Sequence, residues 1–83
     1  MSLDLERAAM KGKLAELDQQ ETRLIMRIES AAKALRTGLN LSLCEAHDLA
    51  VPQLDEQFDI LKISWGELLK CRADIDRLKR ELE

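Results

Sequence analysis

Residues 54–82 read LDEQFDILKISWGELLKCRADIDRLKREL. Every seventh place in this stretch is leucine or isoleucine: Leu54, Leu61, Leu68, Ile75 and Leu82. An apolar repeat of seven, kept up over four heptads, marks a helix that lies along another helix. Interleaved with it runs a second row, Val51, Phe58 and Trp65, which turns basic at Arg72 and Lys79. Together the two rows predict a helix over about 52–82, with Phe58 and Trp65 as the largest knobs of its seam. Pro52 suits the first turn, where a missing N–H costs nothing. Lys70, Arg72, Arg77, Lys79 and Arg80 gather near the C-terminal end, where the helix dipole favours positive charge. Asp76 stands four residues before Arg80, an i,i+4 ion pair worth about 0.3 kcal/mol.

The first half of the chain carries the matching pattern. Leu3, Met10, Leu17, Leu24 and Ala31 fall seven apart, and Leu14, Ile28 and Leu35 sit between them, with Arg7 and Glu21 as the polar breaks. Ser2 is a candidate N-cap, and Asp4 and Glu6 complement the dipole of the first turn. Thr37-Gly38 offers a stop in which glycine takes the left-handed cap. A first helix over about 3–37 follows. Between the helices, residues 38–51 form a connector that is not polar, since Leu39, Leu41, Leu43 and Leu49 lie in it. Ser42 and Glu45 fit a capping box, which predicts a short helical turn over about 43–49. The connector leucines are then expected to close that end of the core.

Two helices of this length, each on the order of 50 Å long, can only run antiparallel when so short a connector joins them. The fold expected is an all-α, antiparallel two-helix hairpin, one domain over 1–83. The best register sets Leu35 against Leu54, Ala31 against Phe58, Ile28 against Leu61, Leu24 against Trp65 and Leu14 against Ile75. Small Ala31 then faces large Phe58, as close packing requires. The seam so predicted comprises Leu14, Leu17, Leu24, Ile28, Ala31, Leu35, Leu54, Phe58, Leu61, Trp65, Leu68 and Ile75. The same register brings Glu21 within one layer of Arg72, a salt bridge that fixes alignment more than it stabilises. A shift of one heptad, setting Leu24 against Phe58 and Ala31 against Val51, is the alternative. Arg7, Arg72 and Lys79 make the open end of the seam polar, and fraying is expected there.

Composition agrees with helix. Hydrophobic residues make up 46% of the chain, but only Phe58 and Trp65 are aromatic and Val51 is the one valine. Strands draw on β-branched and aromatic residues, helices on Leu, Ala, Glu, Lys and Arg. The net charge of −3, with both signs interspersed, argues against nucleic acid as the main partner. Arg23, Arg27, Lys33 and Arg36 scatter around the first helix instead of forming a stripe. No stretch is apolar enough to span a bilayer, acids interrupt the first ten residues as a leader, and two cysteines make no disulfide framework. A reduced, cytoplasmic protein without a membrane partner is expected.

Catalytic and metal chemistry find little footing. Cys44 and His47 have the spacing of two ligands on one helical turn, but a zinc site needs about four, and Cys71 lies far along the second helix. As nucleophile and base the same pair needs an enclosed pocket that a thin hairpin does not offer. The three glycines, Gly12, Gly38 and Gly66, form no phosphate loop. No cofactor, no metal and no enzyme activity are expected.

One seam covers a narrow stripe of each helix, which makes a lone hairpin marginal. Leu5, Ile25, Ile60, Ile63, Leu69 and Leu78 are apolar residues off the predicted seam. Ile60 and Ile63, with bare Gly66 one turn on to admit another backbone, form with Ile25 a predicted second contact surface. Association into a four-helix homo-oligomer is the leading expectation, and a helical protein partner the next.

The segments Asp48-Leu49-Ala50-Val51-Pro52-Gln53-Leu54-Asp55 and Asp76-Arg77-Leu78-Lys79-Arg80-Glu81-Leu82 resemble small two-helix proteins of Mu-like bacterial prophages. The likeness covers about the second half of the chain and implies a helical hairpin of prophage origin without implying a mechanism. The function expected is therefore a non-enzymatic structural or adaptor module acting through helix faces. The alternative is a small chaperone or escort that covers an amphipathic helix of a client.

Overall fold

The computed structural model describes residues 2–83, with side chains from Asp4 onward; the N-cap role expected of Ser2 and the seam place expected of Leu3 rest on side chains outside that description. Two helices, α1 (Ser2–Gly38) and α2 (Val51–Leu82), pack along each other, joined by a connector with a single 3-10 turn at Ala46–Asp48. The molecule is a rod of 67 × 16 × 15 Å, an antiparallel helical hairpin.

On α1 the inward rows run as the heptads predict. Leu17, Leu24 and Ala31 are buried, and Met10, Leu14, Glu21, Ile28 and Leu35 are half-buried. On α2 the leucine and isoleucine row also faces inward: Leu54, Leu61, Leu68 and Leu82 are half-buried and Ile75 is buried. Its companion row is not the one the pattern suggested. Trp65 is 58% exposed and Phe58 49%, and Val51 is open to solvent as well. The inward places belong instead to Gln57, Ser64, Cys71 and Leu78, the row one residue earlier. Leu78, expected off the seam, is in the core with Leu17, Leu24, Cys71 and Ile75.

The reason is that a continuous helix must commit to one companion row along its whole length. Turning Phe58 and Trp65 inward brings Arg72 and Lys79 with them, and an unpaired buried charge costs several kcal/mol. The other row costs only a buried serine and a thiol. It also matches sizes across the seam. Where α1 presents Leu17, α2 presents Cys71, whose Sγ–H donates to the Leu17 carbonyl at 3.3 Å. Where α2 presents Leu54, α1 presents Gly38, and a Cβ there would collide with the Leu54 side chain. Gly38 thus has no positive φ and is not a left-handed cap; it is the last helical residue, kept small to admit Leu54.

The register preferred from the sequence holds in outline. Arg72 Nη1 lies 3.3 Å from Glu21 Oε2 across the seam, and Arg7 donates to the Leu82 carbonyl at 3.3 Å near the open end. In the C-terminal turns Arg77 pairs with Asp74 at 3.5 Å, a different pair from the Asp76–Arg80 one expected.

The connector departs further from expectation. Leu39, Leu41 and Leu43 are exposed and only Leu49 is half-buried, so most of the loop leucines do not close the core. Glu45 occupies the cap position of the 3-10 turn without a side-chain bond. Ser42 turns its backbone N–H and hydroxyl to the Asn40 side-chain oxygen instead, an Asx-type turn that competes with the capping box.

Ser64 is 1% exposed, and its hydroxyl has no hydrogen-bond partner among the described residues. A buried hydroxyl left unpaired costs stability that alanine, of nearly the same volume, does not. Ser64→Ala is expected to raise stability by about 1 kcal/mol, read as a higher urea midpoint at unchanged slope. A lower midpoint means that the hydroxyl has a partner in solution.

Candidate functional site

A hairpin has two flanks, and ion pairs mark them here. Arg27 of α1 reaches Glu67 of α2 at 3.9 Å on one flank, and Glu21 reaches Arg72 at 3.3 Å on the other. Residues spaced by seven from these share their flanks, because both helices follow the heptad period.

On the Arg72 flank the row leading back from Arg72 is Trp65, Phe58 and Val51, all exposed. The neighbouring row of α1, on the Glu21 side, runs Asp18, Ile25, Ala32 and Leu39. The register set by Cys71 on Leu17 and Leu54 on Gly38 brings Ile25 level with Trp65, Ala32 with Phe58 and Leu39 with Val51. Leu69, one turn beyond Trp65, is exposed on the same side. Half-exposed Trp65 and Phe58 alone leave on the order of 200 Å² of aromatic surface in water. The aliphatic residues around them, Val51, Ile25, Leu39 and Leu69, are exposed as well and widen the patch. Lys62 lays its ammonium 5.5 Å from the centre of the Phe58 ring, a cation–π contact that partly covers the patch.

The Arg27 flank is more polar. It carries an apolar surface depression of ≈ 400 Å³ lined by Arg27, Ile60, Ile63 and Ser64. The structure therefore does not bring the predicted contact surface together. Ile60 and Ile63 lie on this flank, and Ile25 lies on the opposite one. Gly66 points away from both helices, with nothing within 4 Å of an added Cβ. The larger face, Ile25 with Phe58 and Trp65, is not the one the heptads predict, because their spacing also allows Phe58 and Trp65 in the seam. The signal that assigns them outside is their own row, which ends in Arg72 and Lys79.

Cys44 is half-buried in the connector, and His47 is exposed with Nε2 3.7 Å from Asp48 Oδ2. Cys71 is buried at the Leu17 layer, well down the rod. Among the described residues no three His, Cys, Asp or Glu side chains stand where they could hold one metal ion. No described helix is long and apolar enough to cross a membrane. Compared with known proteins, the chain matches no protein-family model, no curated protein and no solved structure.

Proposed function

We propose that the chain is a non-enzymatic structural or adaptor module that works by docking a helix face against another protein surface. The observation that carries this reading is the exposed row of Val51, Phe58 and Trp65 beside Ile25, an apolar flank on a rod whose own seam is already filled. Exposed aromatic residues at the centre of an apolar patch with a charged rim have the anatomy of a protein-binding face. A prophage origin, suggested by the likeness in residues 48–55 and 76–82, belongs to the same proposal.

A second reading, an escort that covers an amphipathic helix of a client, draws on the depression between Arg27 and Ile60. Anchor side chains of a client helix would enter there.

Photo-cross-linking separates these readings. A benzophenone amino acid replacing Trp65, in cells that make the protein naturally, is expected to give one adduct of defined mass. The same probe at Gln19, on the outer side of α1, is expected to give none. Equal adducts from both positions, or none from position 65, overturn the proposal. A defined adduct from Ile63 in place of Trp65 favours the escort.

A further inference from the structure

Resting on the docking face just described, the geometry points to a second copy of this chain as its occupant, packed flank to flank with both connectors at the same end. A two-fold axis parallel to the rod produces this arrangement. It lays α1 of each copy against α2 of the other, antiparallel, and closes a four-helix bundle.

The support is the match that the axis creates row by row. Trp65 of one copy meets Ile25 of the second, Phe58 meets Ala32, and Val51 meets Leu39. The small Ala32, half-buried between two larger residues of its row, leaves the dimple that a phenylalanine ring needs. One layer further toward the open end, Arg72 meets Asp18. Outside this core runs a rim, Glu29 and Arg36 on α1 facing Lys62 and Asp55 on α2 of the second copy. Lys62 thus meets Glu29, and Asp55 meets Arg36. Opposite charges fall together at each of these places, and like charges meet only at Lys11 and Lys79 near the open end. The competing two-fold, across the rod with connectors at opposite ends, sets Ala32 on Ala32 and Phe58 on Phe58. It fills the dimple with nothing and overlaps little more than half the rod. A stable dimer needs about 800 Å² from each partner, which the full-length overlap is better placed to supply.

The test is sedimentation equilibrium with a charge swap. The wild-type chain at tens of micromolar is expected to sediment at twice its 9.5 kDa. Glu29→Lys and Lys62→Glu are each expected to weaken the dimer about tenfold, since each breaks two symmetric pairs and creates two repulsions. The double variant restores the attraction across the interface and associates more tightly than either single one. Across-the-rod pairing predicts the reverse, because there Lys62 meets Asp55 and Glu29 meets Arg36, so the double variant is weaker than either single one. Circular dichroism checks that all variants remain helical, as substitution at these exposed positions should allow. A double variant weaker than the singles overturns the inference, and so does a wild-type monomer at hundreds of micromolar. If that monomer still yields a single foreign adduct from position 65, the docking reading stands and only the second copy is lost.

Discussion

Leu24→Ala is expected to lower the stability of the hairpin by about 2–5 kcal/mol, most of what a core this small supplies. Leu24 is 4% exposed and sits in the cluster with Leu17, Cys71, Ile75 and Leu78. Truncation removes its transfer free energy and leaves a cavity that two straight helices cannot close by bending. Trp65→Ala, although it deletes the largest side chain of the molecule, is expected to cost the dilute chain under about 1 kcal/mol, because that side chain is already mostly in water. Urea unfolding followed by circular dichroism at low micromolar concentration measures both. The two penalties also differ in kind: that at Trp65 grows with protein concentration if the aromatic flank is docked, whereas that at Leu24 does not. Equal losses at both positions in dilute solution would place Trp65 in the seam after all.

That contrast marks where the sequence could be read and where it could not. The α1 seam from Met10 to Leu35 was legible because Met10, Leu14, Leu17, Leu24, Ile28, Ala31 and Leu35 keep two adjacent rows apolar over most of the helix, which no other pair of rows does. The Glu21–Arg72 pair was legible because Glu21 is the one acid in its row and Arg72 is the base that stands at the matching depth on the other helix. On α2 the leucine row is shared by two stripes, and residue size pointed to the wrong one. Phe58 and Trp65 gain more by burial than Ser64 and Gln57, so a layer-by-layer reading turns them inward. The choice is made over the whole helix, however, and two cations at the far end outweigh two aromatics at the near end. The connector misled for a local reason. Ser42 has a nearer partner in the Asn40 side chain than in a helix terminus, so the turn closes on itself and leaves Leu41 and Leu43 outside. The functional face depends on the same choice, because Phe58 and Trp65 cannot be core and surface at once.

The two cysteines provide the remaining large contrast. Cys44 is expected to react with a maleimide or with iodoacetamide at neutral pH about two to four orders of magnitude faster than Cys71, a gap set by the roughly 3–5 kcal/mol such a core provides against opening. Cys71 is 2% exposed and its Sγ–H is committed to the Leu17 carbonyl. Burial pushes its thiol above the ordinary value, and the nearby carboxylates of Glu21, Asp74 and Asp18 push it further in the same direction. The reacting species is the thiolate, so access and ionisation both protect this sulfur while the helices stay together. The same shift makes stability depend on pH. Above the ordinary thiol value the unfolded chain gives up the Cys71 proton while the folded chain keeps it. The unfolded state then binds fewer protons, and stability falls as pH rises. This contribution is complete at neutral pH and is lost as pH climbs from the ordinary value through the raised one. Cys71→Ala removes that alkaline loss, so the difference between the two unfolding profiles isolates the thiol. Labelling of Cys71 as fast as Cys44 in the folded protein, or identical alkaline profiles for the two chains, would mean that the sulfur does not lie between the helices at the Leu17 layer.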